Sequence, residues 1–343
     1  MSRDESCLRQ TSPEALSWRP DKQRGGKHVG SLAPESALAK PRSTSSSLRR
    51  REAITFYLFI APWAIGFLVF GAGPIIASLA LSLTNYNIVS MPLYIGLQNY
   101  TEMLATDQMF ATSMVNTVYY TVIFVPSQIV VAFSIALLLN VRVRGVAVYR
   151  TFFYLPSIVP SVASAVLWIW ILEPQWGLLN SALRFFGIPG PLWLASMDWS
   201  KPSLILMALW SSGGAMIIFL AGLQGVPVHL HEAAMIDGAG RWKRFLHVTI
   251  PMMSPTIFFV LVLGIIGSFQ VFTAAYIMTD GGPNNSTLFY LLYLYREAFN
   301  FLNMGYASAM AWLLLLIIMA FTLVQLWLAP RWVYYENEVG ERR

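Results

Sequence analysis

Residues 114–139 read MVNTVYYTVIFVPSQIVVAFSIALLL, a stretch without one Asp, Glu, Lys or Arg. A helix needs roughly 20 residues to cross a hydrocarbon core of about 30 Å. Soluble helices of this length seldom stay free of charge, so the stretch predicts a transmembrane helix. Five others share the property: 54–83, 152–172, 202–223, 256–278 and 306–328, each at least 21 residues long. Their apolar runs are continuous rather than alternating, which favours helices over the strands of a barrel. The expectation is an all-α integral membrane protein with six transmembrane helices.

Composition agrees. Of 343 residues, 56% are hydrophobic and 12% charged, against about 25% charged in ordinary soluble domains. A lone cysteine, Cys7, has no partner for a disulfide or a metal site. The net charge of +6 raises nucleic-acid binding, but eleven of the 23 Lys and Arg residues lie in the first 51 positions. That segment is rich in Ser, Pro, Arg and Lys and has no apolar period. It is expected to be a disordered basic cytoplasmic tail, 1–51, ahead of a membrane domain at 52–343. The apolar block after it is too long for a secretory signal. The N-tail, 141–151, 224–255 and the C-tail hold 20 Lys and Arg, and the opposite loops hold three. This bias predicts cytoplasmic N- and C-termini.

Several enzymatic and transport chemistries lack their residues. Ion-coupled transporters commonly keep a carboxylate, His or Lys in mid-membrane, and the six stretches contain none. An ion-coupled secondary transporter is therefore the weaker alternative. His28 lies in the tail, while His229, His231 and His247 share one loop without metal-ligand spacing. The chain has no GxxxxGK[ST] phosphate loop and no HExxH zinc motif. No catalytic residue, metal site or cofactor is expected here, so an ATP-driven machine would bind ATP and Mg on another chain. Pro62, Pro74, Pro126, Pro156 and Pro160 within the apolar stretches predict bends.

The loop 224–255 is the most informative soluble segment. Pro227 opens it, Glu232, Ala233, Ala234, Met235 and Ile236 favour helix, and Gly238 and Gly240 interrupt. A second short amphipathic run follows through Trp242, Phe245 and Val248, ending at Pro251 and Pro255. A helix–bend–helix lying on the cytoplasmic face is expected, free to enter a groove on a partner or to rest on lipid. The order Glu232-Ala233-Ala234, three residues, Gly238, nine residues, Val248-Thr249-Ile250-Pro251 resembles the EAA loop of ABC importer permeases. The usual form of that loop is E-A-A-x3-G-x9-I-x-L-P, and only two aliphatic types differ. The resemblance implies the type I ABC importer permease fold and a coupling role for Glu232, Ala233, Ala234, Asp237, Gly238 and Pro251 against an ATPase.

Residues 155–180, with Pro156, Pro160, Trp168, Gly177 and Asn180, are similar to the sugar branch of that family. So are 268–272, 279–283, 295–299 and 305–309. The resemblance covers roughly 50–332. It implies a non-catalytic permease in the bacterial cytoplasmic membrane, with a second permease subunit, two ATPase subunits and an extracytoplasmic sugar-binding protein, and no nucleic acid. A sugar path needs small or polar groups facing a water-filled space. Met207, Trp210, Ser211 and Gly214 share one helix face, as do Gly264, Gly267, Ser268 and Val271. With Ser157 and Ser161 they are similar to the positions lining the cavity of maltose-type permeases. There Met207, Ser268 and Val271 stand where such permeases use asparagines. Gly and Ser serve close helix packing equally well. The aromatic stretch Tyr290, Tyr293, Tyr295 and Phe299 suits either an interfacial belt or contact with a binding protein.

Overall fold

The computed structural model describes residues 46–141 and 144–334. These residues form fifteen α-helices, one short hairpin, three π-helical turns (Leu68–Ala72, Phe245–Thr249 and Arg296–Asn300) and a 3-10 turn, Ala329–Arg331, joined by loops. Helix α1 (Ser46–Phe67) continues through a π-helical turn, Leu68–Ala72, into α2 (Gly73–Ser82). A hairpin, β1 (Thr84–Asn85) and β2 (Leu93–Tyr94), is followed by α3 (Gln98–Ala105) and the long α4 (Gln108–Leu139). Next come α5 (Val146–Ile158), α6 (Ser161–Ile171), α7 (Leu178–Phe185), α8 (Met197–Trp210) and α9 (Gly213–Gly225). The remainder are α10 (Val228–Ile236), α11 (Arg241–Arg244), α12 (Ile250–Phe269), α13 (Thr273–Met278), α14 (Tyr290–Tyr295) and α15 (Met304–Leu328). The chain divides into two units at Pro62 and Trp63. Most of the expected tail lies outside the described residues, but helix begins at Ser46, inside the 1–51 segment. Arg49, Arg50 and Arg51 are good helix formers and extend the first apolar stretch backwards.

Four helical stretches are long and apolar enough to cross a membrane, and the number rises to six if each of two bent pairs forms one span. Helices α5 and α6 meet at 99°, α8 and α9 at 48°. Pro160 causes the sharper bend. Its ring excludes the helical conformation from the preceding residue, and Val159 is extended at φ −64°, ψ 130°. Two of the π-helical turns have the same origin. Pro74 and Pro251 cannot donate an N–H, and the turn ahead of each widens, so that Gly73 N–H reaches Leu68 C=O and Ile250 N–H reaches Phe245 C=O.

Helix α4 is the centre, packed against α8, α9, α12 and α14. Ala132 and Ala136 are fully buried on it, a four-residue small-residue spacing that lets α9 and α12 approach. At Gly222 of α9 an added Cβ would lie 2.7 Å from Thr256 Oγ1 and 2.9 Å from Met253 Cε of α12, so this contact depends on glycine. Many large apolar side chains face outward, among them Phe70, Phe152, Trp170 and Trp327, as expected for a surface solvated by lipid or partner chains.

Polar clamps hold the N-terminal end of α4. Asn116 Nδ2 donates to the Asn285 and Leu288 carbonyls, and Lys201 Nζ donates to Asn116 Oδ1 at 3.0 Å. Asp107 caps α4, accepting from Met109 N at 2.8 Å and Phe110 N at 3.0 Å. Its other oxygen accepts from the hydroxyls of Tyr293 at 2.7 Å and Tyr306 at 2.5 Å. Burial pushes the Asp107 carboxyl up, but these hydrogen bonds outweigh it and hold the group below the ordinary aspartate value. A depressed folded pKa contributes stability above the unfolded value that is lost as the pH falls through the folded one. Asp107→Ala is expected to cost about 1–2 kcal/mol as a lost cap. In thermal unfolding of the detergent-solubilised protein the cost should be full near pH 7. It should shrink as the pH drops below 3.8; a cost independent of pH would contradict the charge assignment.

Candidate functional site

The 224–255 segment, expected from its resemblance to couple to an ATPase, packs near the C-terminal end of α4. Pro227 is the extended residue just before α10, where its missing N–H costs no helical hydrogen bond. The helix ends in a Schellman arrangement: Gly238 N–H donates to Met235 C=O at 3.0 Å, Ala239 N–H to Ala234 C=O at 2.9 Å. Gly238 has φ +76°, a left-handed conformation that favours glycine. This geometry accounts for the motif spacing. The second alanine is the third residue from the helix end, whose carbonyl accepts the closing bond, and the glycine is the first residue past the cap. Asp237 is the cap itself, its N–H donating to Ala233 C=O at 3.0 Å. Pro251 lies in the first turn of α12, past the π-helical turn.

Glu232, Ala233, Asp237 and Gly238 are exposed, and Ala234 and Pro251 are half-buried. Large apolar side chains accompany them in the open: Val228, Met235, Ile236, at 86% exposure, and Trp242. From Trp242 a run of rings leads inward. Trp242 stacks on Phe245 at 5.5 Å, Phe245 on Phe133 of α4 at 6.2 Å, and Phe133 meets Phe219 of α9 edge-on at 5.3 Å. The exposed segment is thereby packed onto the central helix pair. Sequence reading missed Phe133 and Phe219, because nothing local marks two phenylalanines of different apolar stretches as neighbours.

A cavity of about 210 Å³ opens between α4, α9 and α12. Phe124, Gln128, Ala215, Ile218, Val260, Leu263, Gly264 and Gly267 line it. Two residues proposed for the path from sequence, Gly264 and Gly267, are therefore brought together here. A Cβ on Gly264 would lie 3.2 Å from Val125 Cγ1 and 3.4 Å from Gln128 Oε1, whereas one on Gly267 meets nothing within 4 Å. Gln128 is the polar group that the sequence reading passed over. An amide inside a charge-free stretch is the signal that pointed to it.

The other proposed path residues lie elsewhere. Ser268 is buried, and its hydroxyl donates to Ile265 C=O and Thr121 Oγ1, each at 2.9 Å. Met207 is buried, and Trp210 packs edge-on to Trp168 at 6.0 Å. Ser157 is half-buried and donates to Tyr154 C=O at 2.7 Å, beside Gly213. Ser161 is exposed at the start of α6, and Ser211 and Gly214 flank the α8–α9 bend half-buried, as is Val271. None of the four serines lines the cavity that holds Gly264 and Gly267.

Residues 128–334 match the family of binding-protein-dependent transport system inner membrane components. A probable ABC transporter permease protein of Bacillus subtilis (strain 168), YesP, is 43% identical over 306 residues, covering 88% of this chain and 97% of the relative. The trehalose/maltose transport system permease protein MalF of Thermococcus litoralis is 32% identical over 287 residues, covering 82% and 96%. Among solved structures, a chain of a bacterial alginate ABC transporter, crystallised with an alginate pentasaccharide-bound periplasmic protein, superposes with a TM-score of 0.70. That superposition covers 83% of this chain and 96% of the other at 22% identity, a likeness of fold. This multi-pass chain therefore belongs to the binding-protein-dependent transport system inner membrane components, the permeases of ABC transporters.

Proposed function

We propose that this chain forms half of the translocation path of an ATP-driven sugar importer in a bacterial cytoplasmic membrane. The observation that carries the reading is α10 with its glycine-capped end. It is a short helix that presents Glu232 and several apolar side chains to a partner and connects through stacked rings to the helices around the cavity. The sugar assignment rests on relatives such as the trehalose/maltose permease. In this reading a second permease chain completes the path, two ATPase chains hold ATP and Mg, and an extracytoplasmic binding protein delivers substrate. Gly264, Gly267 and Gln128 line the path, and Ser268 positions α12 against Thr121. The test is reconstitution in proteoliposomes with the ATPase and binding protein. Sugar uptake should require ATP and loaded binding protein and be unaffected by proton or sodium ionophores. Uptake driven by an ion gradient without ATP would sink the proposal.

Topology belongs to the same reading. Six spans are counted if each bent pair is one span, and both termini inside follows from the 20 to three distribution of Lys and Arg. Single cysteines at Asp107, Met197 and Asn285 should react with an impermeant maleimide added outside sealed cells. Cysteines at Arg144 and Lys243 should react only after permeabilisation. Outside labelling at Lys243 would reverse the assignment.

A further inference from the structure

At the N-terminal end of α4, away from the coupling segment, the hairpin, α3 and the residues between α14 and α15 enclose a second cavity of about 440 Å³. Its character differs from the glycine-lined one. Three carboxyl side chains, Glu102, Asp107 and Glu297, face it together with the amides of Asn85, Gln98 and Asn303, and no lysine or arginine is among its lining residues.

Asp107 is fully engaged as the cap of α4. Glu297 is not. Its side chain is only 7% exposed, yet it accepts a single hydrogen bond, from Asn303 Nδ2 to Oε2 at 2.9 Å. Oε1 has no hydrogen bond among the described residues. With no bond of its own, Oε1 opens onto the cavity, where an entering donor can reach it. The one arginine next to it in sequence is committed elsewhere: Arg296 Nη2 pairs with Asp280 Oδ1 at 3.1 Å and bonds the Asp280 carbonyl. Among the described residues no three His, Cys, Asp or Glu side chains are grouped closely enough to hold a metal ion. The cavity also exceeds many times over the ~30 Å³ that one water occupies. It is an acceptor-rich recess of side-chain size.

We propose that this recess receives a basic side chain, a lysine or arginine, presented by the extracytoplasmic binding protein, with Glu297 as its buried counter-charge and Glu102 at the open rim. The inference rests on the importer reading, which puts this end of α4 outside the membrane and a soluble partner in front of it. A guanidinium suits the site best, since its fork of donors can engage Glu297 Oε1 and the surrounding amide oxygens together. The exposed Glu102 acts mainly on approach and the buried Glu297 on residence, as rim and core charges do in other interfaces.

The experiment uses the full complex in nanodiscs with its ATPases and its cognate binding protein. ATPase stimulation is titrated with the loaded binding protein at several salt concentrations. Glu297→Gln keeps the shape and the Asn303 bond. It is expected to raise the half-saturating concentration at least tenfold, to flatten the salt dependence, and to leave the basal rate and maximal stimulation within twofold. Glu102→Gln should raise half-saturation about threefold. Should Glu297→Gln fail to assemble, the exposed Glu102→Lys carries the test, with an expected loss of tenfold or more. Wild-type half-saturation and salt slope in these variants would overturn the proposal while leaving the importer reading intact. So would competition at the wild-type site by free calcium ion or by the sugar itself. A wild-type complex that the binding protein fails to stimulate at all would overturn both.

Discussion

Glu232→Lys is expected to reduce ATP-driven uptake at least a hundredfold while leaving expression and thermal stability unchanged. Glu232 stands exposed on α10 and makes no side-chain hydrogen bond among the described residues. Changes at such positions usually move stability by no more than about 0.5 kcal/mol. A large functional loss must then arise at the surface that α10 presents. Gly238 gives an independent reading of the same helix. At φ +76° a β-branched residue costs roughly 1–2 kcal/mol or more and disturbs the two bonds that close the helix. Gly238→Val should therefore uncouple transport as strongly as Glu232→Lys. Asn enters the left-handed region with less strain, so Gly238→Asn should retain much of the activity. The readouts are sugar uptake and binding-protein-stimulated ATP hydrolysis in the same proteoliposomes. Full uptake with Glu232→Lys, or equal loss with valine and asparagine at 238, would remove α10 from the coupling role.

The separate legibility of motif and interior has a physical basis. Helix end, cap and motif spacing at 228–239 are local, set by residues within one or two turns, and so they can be read along the chain. Apolar stretches are likewise local, but helix runs past them where polar residues also favour it, starting at Ser46 rather than 54 and at Gln108 rather than 114, and the stretch 256–278 is divided between α12 and α13. The direction of the chain within a stretch is not local. Nothing in a charge-free count distinguishes the 99° turn at Pro160 from the mild accommodation of Pro156 or Pro126, which remain inside continuous helices. Pairings across the bundle are equally hidden. Phe245 and Phe133 stack although more than a hundred residues separate them, and the recess around Glu297 joins residues from 85 to 306. Periodicity alone also does not separate neighbours on one face. On α12 Ser268 lies about 100° round from Gly267 but only about 40° from Gly264, so spacing does not say which of the three meets the cavity. The cavity takes the glycines while the serine turns to Thr121.

Those two neighbouring positions give the sharpest test of the path. Gly267→Trp is expected to abolish uptake, a loss of at least a hundredfold, with ATPase association and folding retained. An added Cβ there meets open space, and the indole can extend into the 210 Å³ cavity, so it blocks the way without displacing a neighbour. Gly267→Ala fills little of that volume and should transport nearly as wild type. Ser268→Trp should behave differently. Its site is already filled and hydrogen-bonded to Thr121, and forcing extra atoms into a packed interior costs roughly 1–3 kcal/mol or more. That variant is expected to lose expression and thermal stability along with uptake. Thiol accessibility supplies an independent readout. A cysteine at 267 should react with small water-soluble reagents and change its rate when ATP and loaded binding protein are added, and one at 268 should stay inert. Full transport by Gly267→Trp at normal expression would place the substrate path outside the α4–α9–α12 cavity.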